Sequence, residues 1–447
     1  MKYIILFILS LFLLSCSKFL NEKPDEKLSA INSLEDCQAI LDRNLYVSKF
    51  GIGAMESSSD NFYLNPDFWN QISEENRNMY QWAPENIFTT YGLTGNEWSY
   101  CYDNIFRANT VLEEVEKFKQ GGLEYGNIKG QAYFIRAHHY LQAAWTWALA
   151  YEKTSASSKL GLPLRTGTNF NEEVGRSDLE QTYQQIILDT RKAIDLLPTL
   201  PMHVFRPSKP AAIALLARVF LSMNQYDSCY KYAEMAWSLR SDLLDFNNQL
   251  EVDTSVVKPF QNFNKEVIFE YASLLELTNQ QYSFIDTNLV ASYSLHDIRK
   301  PAFFIRLGNQ FTFKGSYNNG YNFAGITAAE VLLMKIEAAA RLNRSTEAVE
   351  GLNLLLKHRI KTDQFSPYLF STTQQLIADI LMERRKELLM RGLRFMDIKR
   401  LNVLGAGIIL KRIVNDMEVL LLPNDLRYAL AIPEDVIAIS RIVQNPR

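Results

Sequence analysis

Beyond about residue 100, apolar residues return every three or four positions along most of the chain, the period of one face of an α-helix. The window Asp103 to Phe118 gathers Ile105, Phe106, Leu112, Val115 and Phe118 on one side. Its successor, Ile128 to Tyr151, is apolar almost all round, and a helix without a polar face has to be buried. Ser177-Asp178-Leu179-Glu180 reads as a capping box that opens a helix through Tyr183, Ile186, Ile187 and Ile194, stopped by Pro198. Pro210 to Met223 carries Ala211, Ala212, Ala214 and Ala217 beside Leu215 and Leu216, and such small residues let helix axes approach closely. Tyr226 to Leu239, Ala328 to Leu342, Ser345 to Ile360, and Ile377 to Arg391 with its successor extend the pattern.

Two stretches repeat one layout. Ile213 to Trp237 and Ala329 to Asn353 each have a leucine-rich first helix, a turn at Asn224-Gln225 or Asn343-Arg344, and an alanine-bearing second helix. That is the grammar of tetratricopeptide units, pairs of antiparallel helices of roughly 34 residues whose open apolar faces need stacked neighbours. The expected fold is mostly α, a tetratricopeptide-like helical-hairpin scaffold of about four units, with pairs near 100–151, 178–240, 328–360 and 373–403. A generic bundle of helical hairpins would show the same periodicity. Two regions break the pattern. Residues 51–97 scatter Trp69, Tyr80, Trp82, Phe88, Tyr91 and Trp98 among Asn, Gly and Pro. Residues 241–327 mix short β-type runs (267–269, 303–305, 311–313) with Gly, Asn and Tyr. These insertions are expected to leave some of their rings outside any core, so the scaffold is expected to present an aromatic surface.

The N-terminus changes the setting. Met1-Lys2, an apolar run from Tyr3 to Leu9 and then Leu13-Leu14-Ser15-Cys16 form a secretory signal whose apolar core is too short to span a membrane. Leu-x-Ser-Cys before the cut is the pattern of a lipoprotein signal, which would leave Cys16 as the lipid-bearing first residue of a single domain, 16–447. An ordinary secretory signal with an incidental cysteine is the alternative. The formal charge is −3, one more negative once Lys2 is removed with the signal, which gives no reason to expect a nucleic-acid partner. Cys37, Cys101 and Cys229 are odd in number and lack CxxC spacing, so they are expected to be buried thiols.

No sequence motif of an enzyme is present: no Gly-x-Ser-x-Gly elbow, HExxH, phosphate-binding loop or dinucleotide fingerprint. His138 and His139 are adjacent, about 100° apart on a helix, and cannot chelate one metal as an i, i+4 pair does. His203, His296 and His358 have no partner at fixed spacing. Glu383-Arg384-Arg385-Lys386-Glu387 reads as an ion-pair network, because Glu383 and Glu387 sit one turn apart among three cations. Asp297 and Arg299 read as a structural ion pair in a loop. No metal and no cofactor are expected.

Six segments in order carry a family resemblance: CSKFLNEKPD, AYFIRAHHYLQAAW followed by LGLPL, LLARVFLSMNQYD, AEVLLMKIEAAARLN, ERRKELLMRGLRFMDIKRL and LAIPEDVIAISRIVQNPR. Over nearly the whole mature chain they resemble the SusD/RagB family. The resemblance implies a non-catalytic lipoprotein on the outer face of the outer membrane. Such a protein serves as the ligand-binding lid of a SusC-like TonB-dependent transporter and captures oligosaccharides or, in some members, peptides. It also implies that the stretch through Arg394 and Asp397 is structural, and that Trp98 opens a helix as a structural tryptophan.

Sugars present flat C–H patches that stack on rings, and hydroxyls that Asn, Asp, Gln and Arg can read. The candidate ligand residues are therefore Trp69, Tyr80, Trp82, Tyr282, Tyr293, Tyr317 and Tyr321, with Asn65, Asn78, Asn318 and Asn319 as polar partners.

Overall fold

The computed structural model describes residues 31–47, 53–89, 96–273, 277–278, 282–318 and 320–447. Cys16 and the signal lie outside the described residues, as do Tyr91 and Asn319.

The scaffold begins with α1 (Leu34–Val47), α2 (Glu97–Glu114), α3 (Gly122–Trp147) and α4 (Leu179–Leu196). It continues through α5 (Lys209–Ser222), α6 (Tyr226–Leu239), α7 (Ala328–Arg341) and α8 (Ser345–Lys357). Then come α9 (Thr373–Glu387), α10 (Arg394–Val403) and a C-terminal α11 (Glu434–Ser440). From α2 to α8 each helix packs along the next, including α6 on α7, although residues 240–327 separate those two in sequence. The fold is therefore mostly α with stacked hairpins. α9 lies on α7 and α8, while α10 turns toward α5 and the short helix Ala54–Ser57. An Arg384–Asp397 ion pair (2.9 Å) links α9 to α10.

Both repeat turns use the same device. Asn224 and Asn343 have φ of 55° and 61°, the left-handed region that closes a helix, and Asn adopts it more readily than other residues with a Cβ. The chain then reverses through Gln225 N–H to Phe220 O (2.9 Å) and Arg344 N–H to Ala339 O (2.8 Å). α3 is buried along nearly its whole C-terminal two thirds, as its missing polar face requires. The start of α4 is shifted by one residue from the expected box. Asp178 is the cap and exchanges bonds with Gln181, because Ser177 is drawn into a strand and its hydroxyl donates to Leu162 O (2.9 Å).

The strands are short. Among the described residues they form two-stranded antiparallel ladders, of which four matter here. β1 (Phe62–Leu64) pairs with a strand at Ser283–Ile285, placing Phe62 opposite Ile285 and Leu64 opposite Ser283. β2 (Val267–Phe269) pairs with Ile326–Thr327 at the foot of α7. A hairpin joins β3 (Phe304–Leu307) to β4 (Gln310–Phe313), and Leu410–Val414 pairs with Met417–Leu421 near the C-terminus.

Two apolar cores result. The larger fills the helix stack. The second lies within the irregular regions and is built largely of rings, among them Phe62, Tyr80, Phe246, Phe260, Phe303 and Tyr317. The two insertions pack on each other and bury most of their rings, and only some, Tyr63, Phe68, Trp69 and Tyr282 among them, stay partly outside the core. Several charged side chains are buried in pairs. Arg359 pairs with Glu266 and Glu387 (2.7 Å each), and Arg299 pairs with Asp297 (2.7 Å), Glu383 (2.7 Å) and Glu387 (3.1 Å). Buried charges persist only when so paired, and these place the Glu383 to Glu387 stretch in a structural role.

Candidate ligand-binding surface

The structure separates the predicted rings into three groups. Tyr80, Trp82, Tyr293 and Tyr317 are 1–3% exposed and belong to the interior. Trp82 donates its indole N–H to Ser58 O (3.0 Å), and the Tyr80 hydroxyl accepts from Leu64 N–H (3.1 Å). The Arg412 guanidinium lies 4.0 Å from the Tyr80 ring centre. The Tyr293 hydroxyl donates to Lys386 O (2.8 Å) and that of Tyr317 to Glu266 (2.9 Å). Burial pushes the Tyr293 and Tyr317 phenols well above their ordinary range. These four are corrected from ligand candidates to core residues, since a ring enclosed on all sides has no face left for a solute.

Trp69 and Tyr282 belong to the second group. β1 alternates as a half-buried strand should: Phe62 and Leu64 point inward and Tyr63 outward. The chain then turns at Asn65, whose side chain caps the short helix Pro66–Phe68 and whose N–H donates to Tyr282 O (2.8 Å). This bond brings the two insertions together. Phe68 lies 4.0 Å from Tyr282 ring to ring, Tyr63 lies 5.7 Å from Phe284, and Trp69 leans on the buried Tyr80 at 5.9 Å. The result is a set of half-buried rings, Tyr63, Phe68, Trp69 and Tyr282, of which Trp69 packs on the second core, flanked by exposed Asp67, Asn70 and Gln71. Sequence reasoning missed Tyr63 and Phe68, although the alternation of Phe62-Tyr63-Leu64 marks Tyr63 as the outward residue.

The remaining candidates sit elsewhere. Asn318 and Tyr321 share a turn, in which Ser316 donates to Tyr321 O (2.7 Å) and Asn318 donates to Glu270 (2.8 Å). Asn78, in the short helix Glu74–Tyr80, donates to Asn86 O (3.1 Å) in the loop that follows. Trp98 packs against Trp147 (5.0 Å) and Tyr102 (4.7 Å) at the start of α2, which is a structural place. On the scaffold, a cleft of about 590 Å³ opens between α2, the loop after Pro163 and α11, lined mainly by apolar side chains including the exposed Phe170 and Ile439. Cys37, Cys101 and Cys229 are free and buried. Among the described residues no cluster of His, Cys, Asp or Glu is placed to hold a metal, and no helix is long and apolar enough to cross a membrane.

Stacked helical hairpins carrying an irregular face with its own aromatic core define a repeat-scaffold protein with a specialised surface. Residues 18–221 match a family described as starch-binding and associating with the outer membrane, and residues 243–418 match the SusD family. The chain belongs to the SusD/RagB family. A SusD superfamily protein from Bacteroides thetaiotaomicron shares 20% identity at a TM-score of 0.73, covering 93% of this chain and 100% of its own. A SusD-like carbohydrate binding protein from Bacteroides vulgatus shares 19% identity at 0.69, covering 92% and 97%. A laminarin binding SusD-like protein shares 17% at 0.65, covering 92% and 98%. No curated protein matches the sequence.

Proposed function

We propose that this protein is a non-catalytic, lipid-anchored binding protein of the cell surface that captures an oligosaccharide and hands it to a SusC-like TonB-dependent transporter in the outer membrane. The observation that carries the reading is the strip formed by Tyr63, Phe68, Trp69 and Tyr282 in a chain of this family. Each ring already has a ring partner (Trp69 on Tyr80, Tyr63 on Phe284, Phe68 and Tyr282 on each other), so stacking a sugar there costs little ordering, and exposed Asp67, Asn70 and Gln71 stand ready for hydroxyls. The similarity to a laminarin binding protein and to a carbohydrate binding protein supports a glycan over a peptide. Anchoring rests on Cys16, each buried CH₂ of its acyl chains contributing about 0.8 kcal/mol.

The test is calorimetric titration of the mature protein with a panel of neutral oligosaccharides, laminarihexaose and maltoheptaose first, followed by Trp69→Ala and Tyr282→Ala. Each substitution is expected to weaken binding at least tenfold, about 1.4 kcal/mol, with thermal stability kept within a few degrees. Unchanged affinity in both variants would remove the strip as the site. A second reading, a scaffold that binds only protein, is favoured by the apolar cleft beside Phe170 and Ile439. It predicts no response to any glycan and loss of a membrane partner when Phe170→Asp and Ile439→Asp are introduced.

A further inference from the structure

Away from the aromatic strip, where α3 meets β2 and the loop joining α4 to α5, lies a small cavity whose wall holds more polar atoms than partners. Asn104, His138, His139 and Glu270 line it, and they are 3%, 1%, 5% and 2% exposed. Asn104 Oδ1, both ring nitrogens of His138, Nδ1 of His139 and Glu270 Oε2 have no hydrogen-bond partner among the described residues. The neighbouring atoms are already committed: Asn104 Nδ2 donates to Tyr100 O (2.9 Å), and Glu270 Oε1 accepts from Asn318 (2.8 Å). Several orphaned polar atoms converging on one cavity are rare in a folded interior, because each forgoes the hydrogen bond it would make in water.

The chemistry of the wall is specific. The amide oxygen can only accept, the Glu270 carboxyl accepts on both oxygens once ionised, and each neutral imidazole offers one lone pair beside its one N–H. Burial holds His138 and His139 below the ordinary imidazole range, so both are uncharged at neutral pH. Burial also raises the Glu270 carboxyl to about 7, against the Asn318 bond and the charge of Arg391, and no cation is hydrogen-bonded to it. Aromatic rings complete the lining: Tyr271 makes T-shaped contacts with His138 (4.7 Å) and His139 (5.9 Å), with Phe134 and Phe269 beside them. The space is about 30 Å³, room for roughly two water-sized groups. Its half-buried rim is Phe205 and the Arg206–Asp42 ion pair (2.6 Å). Phe205 in turn packs on Phe263 (5.0 Å), a bulky exposed residue held at φ 57°, a conformation such residues rarely adopt.

Acceptors, rings and a carboxyl in no direct ion pair are the complement of N–H donors, a positive charge and a methylene. We propose that this cavity binds the primary ammonium group of an amine-bearing ligand, an amino sugar or a peptide, entering past Phe205. The proposal does not rest on the aromatic strip, which lies on other elements. It is tested by NMR of the histidine side chains in ¹⁵N-labelled mature protein titrated with ethylammonium chloride, with ethanol as the uncharged control. Saturable shifts of His138 and His139, with His296 and His358 unmoved and no response to ethanol, are expected. Glucosamine against glucose, and dialanine against its N-acetyl form, then separate the two sources. Glu270→Gln should weaken the apparent affinity at least tenfold; if that variant fails to fold, Phe205→Ala at the rim should weaken it at least threefold. An equal response to ethanol, no saturable shift, or undiminished binding in a folded variant overturns the proposal.

Discussion

At the scale of single residues, burial divides groups that look alike in the sequence. Trp69 and Trp82 both stand in an aromatic, loop-rich stretch, yet Trp82 is 1% exposed and bonded to Ser58 while Trp69 is half-buried. Trp82→Ala is therefore expected to cost about 3–5 kcal/mol of stability, read by urea unfolding, with any effect on ligand following from misfolding. Arg394 makes a two-pronged pair with Asp60 (2.7 and 2.9 Å) that ties α10 to the segment ahead of β1. Arg394→Ala should lower stability by about 2 kcal/mol and leave affinity in the surviving folded protein unchanged. Normal stability with lost affinity would place Arg394 in the binding surface instead.

At the scale of elements, the helices were legible because their signal is local. Period and terminators sit within one stretch of chain, so α4 through α8 emerged from apolar spacing, Pro198 and the two Asn turns. Errors of register were small, such as the cap of α4 moving from Ser177 to Asp178. The turns permit a sharp check. At φ 61°, Asn343→Ala should destabilise by about 1 kcal/mol and Asn343→Gly should be nearly neutral, read by thermal unfolding. The strand at 267–269 was also visible as an apolar run, but its partner at Ile326–Thr327 was not, since pairing across that distance leaves no local mark.

At the scale of the whole molecule, buried ion pairs join segments far apart in the chain and set the response to acid. Burial alone would raise Asp60, but the Arg394 bond and the charges of Arg394 and Arg385 bring it down to about 2. Asp397, Glu337 and Glu387 are likewise held low by paired arginines against the pull of burial. A carboxyl whose folded value lies below its unfolded one stabilises above the unfolded value and loses that contribution as pH falls through the folded one. Stability is therefore expected to drop steeply from about pH 4 to pH 2, Asp60 alone accounting for about 2 kcal/mol. A flat profile over that range in urea titrations would show that these pairs are not kept on folding. The proposed function makes predictions at the same scale: if Cys16 carries the anchor, Cys16→Ser should release the protein into the soluble fraction, and Trp69→Ala should leave co-purification with an outer-membrane barrel intact.

The sequence by itself determined the helical hairpins, their order and the family, because periodicity, caps and ordered motifs are written in neighbouring residues. Which rings face solvent was decided only in three dimensions. Whether Tyr63, Phe68, Trp69 and Tyr282 form a surface while Tyr80, Trp82, Tyr293 and Tyr317 form a core depends on two insertions, some two hundred residues apart, closing on each other through β1 and the 283–285 strand. Burial is a property of the partner as much as of the residue, and the partner is chosen by the fold.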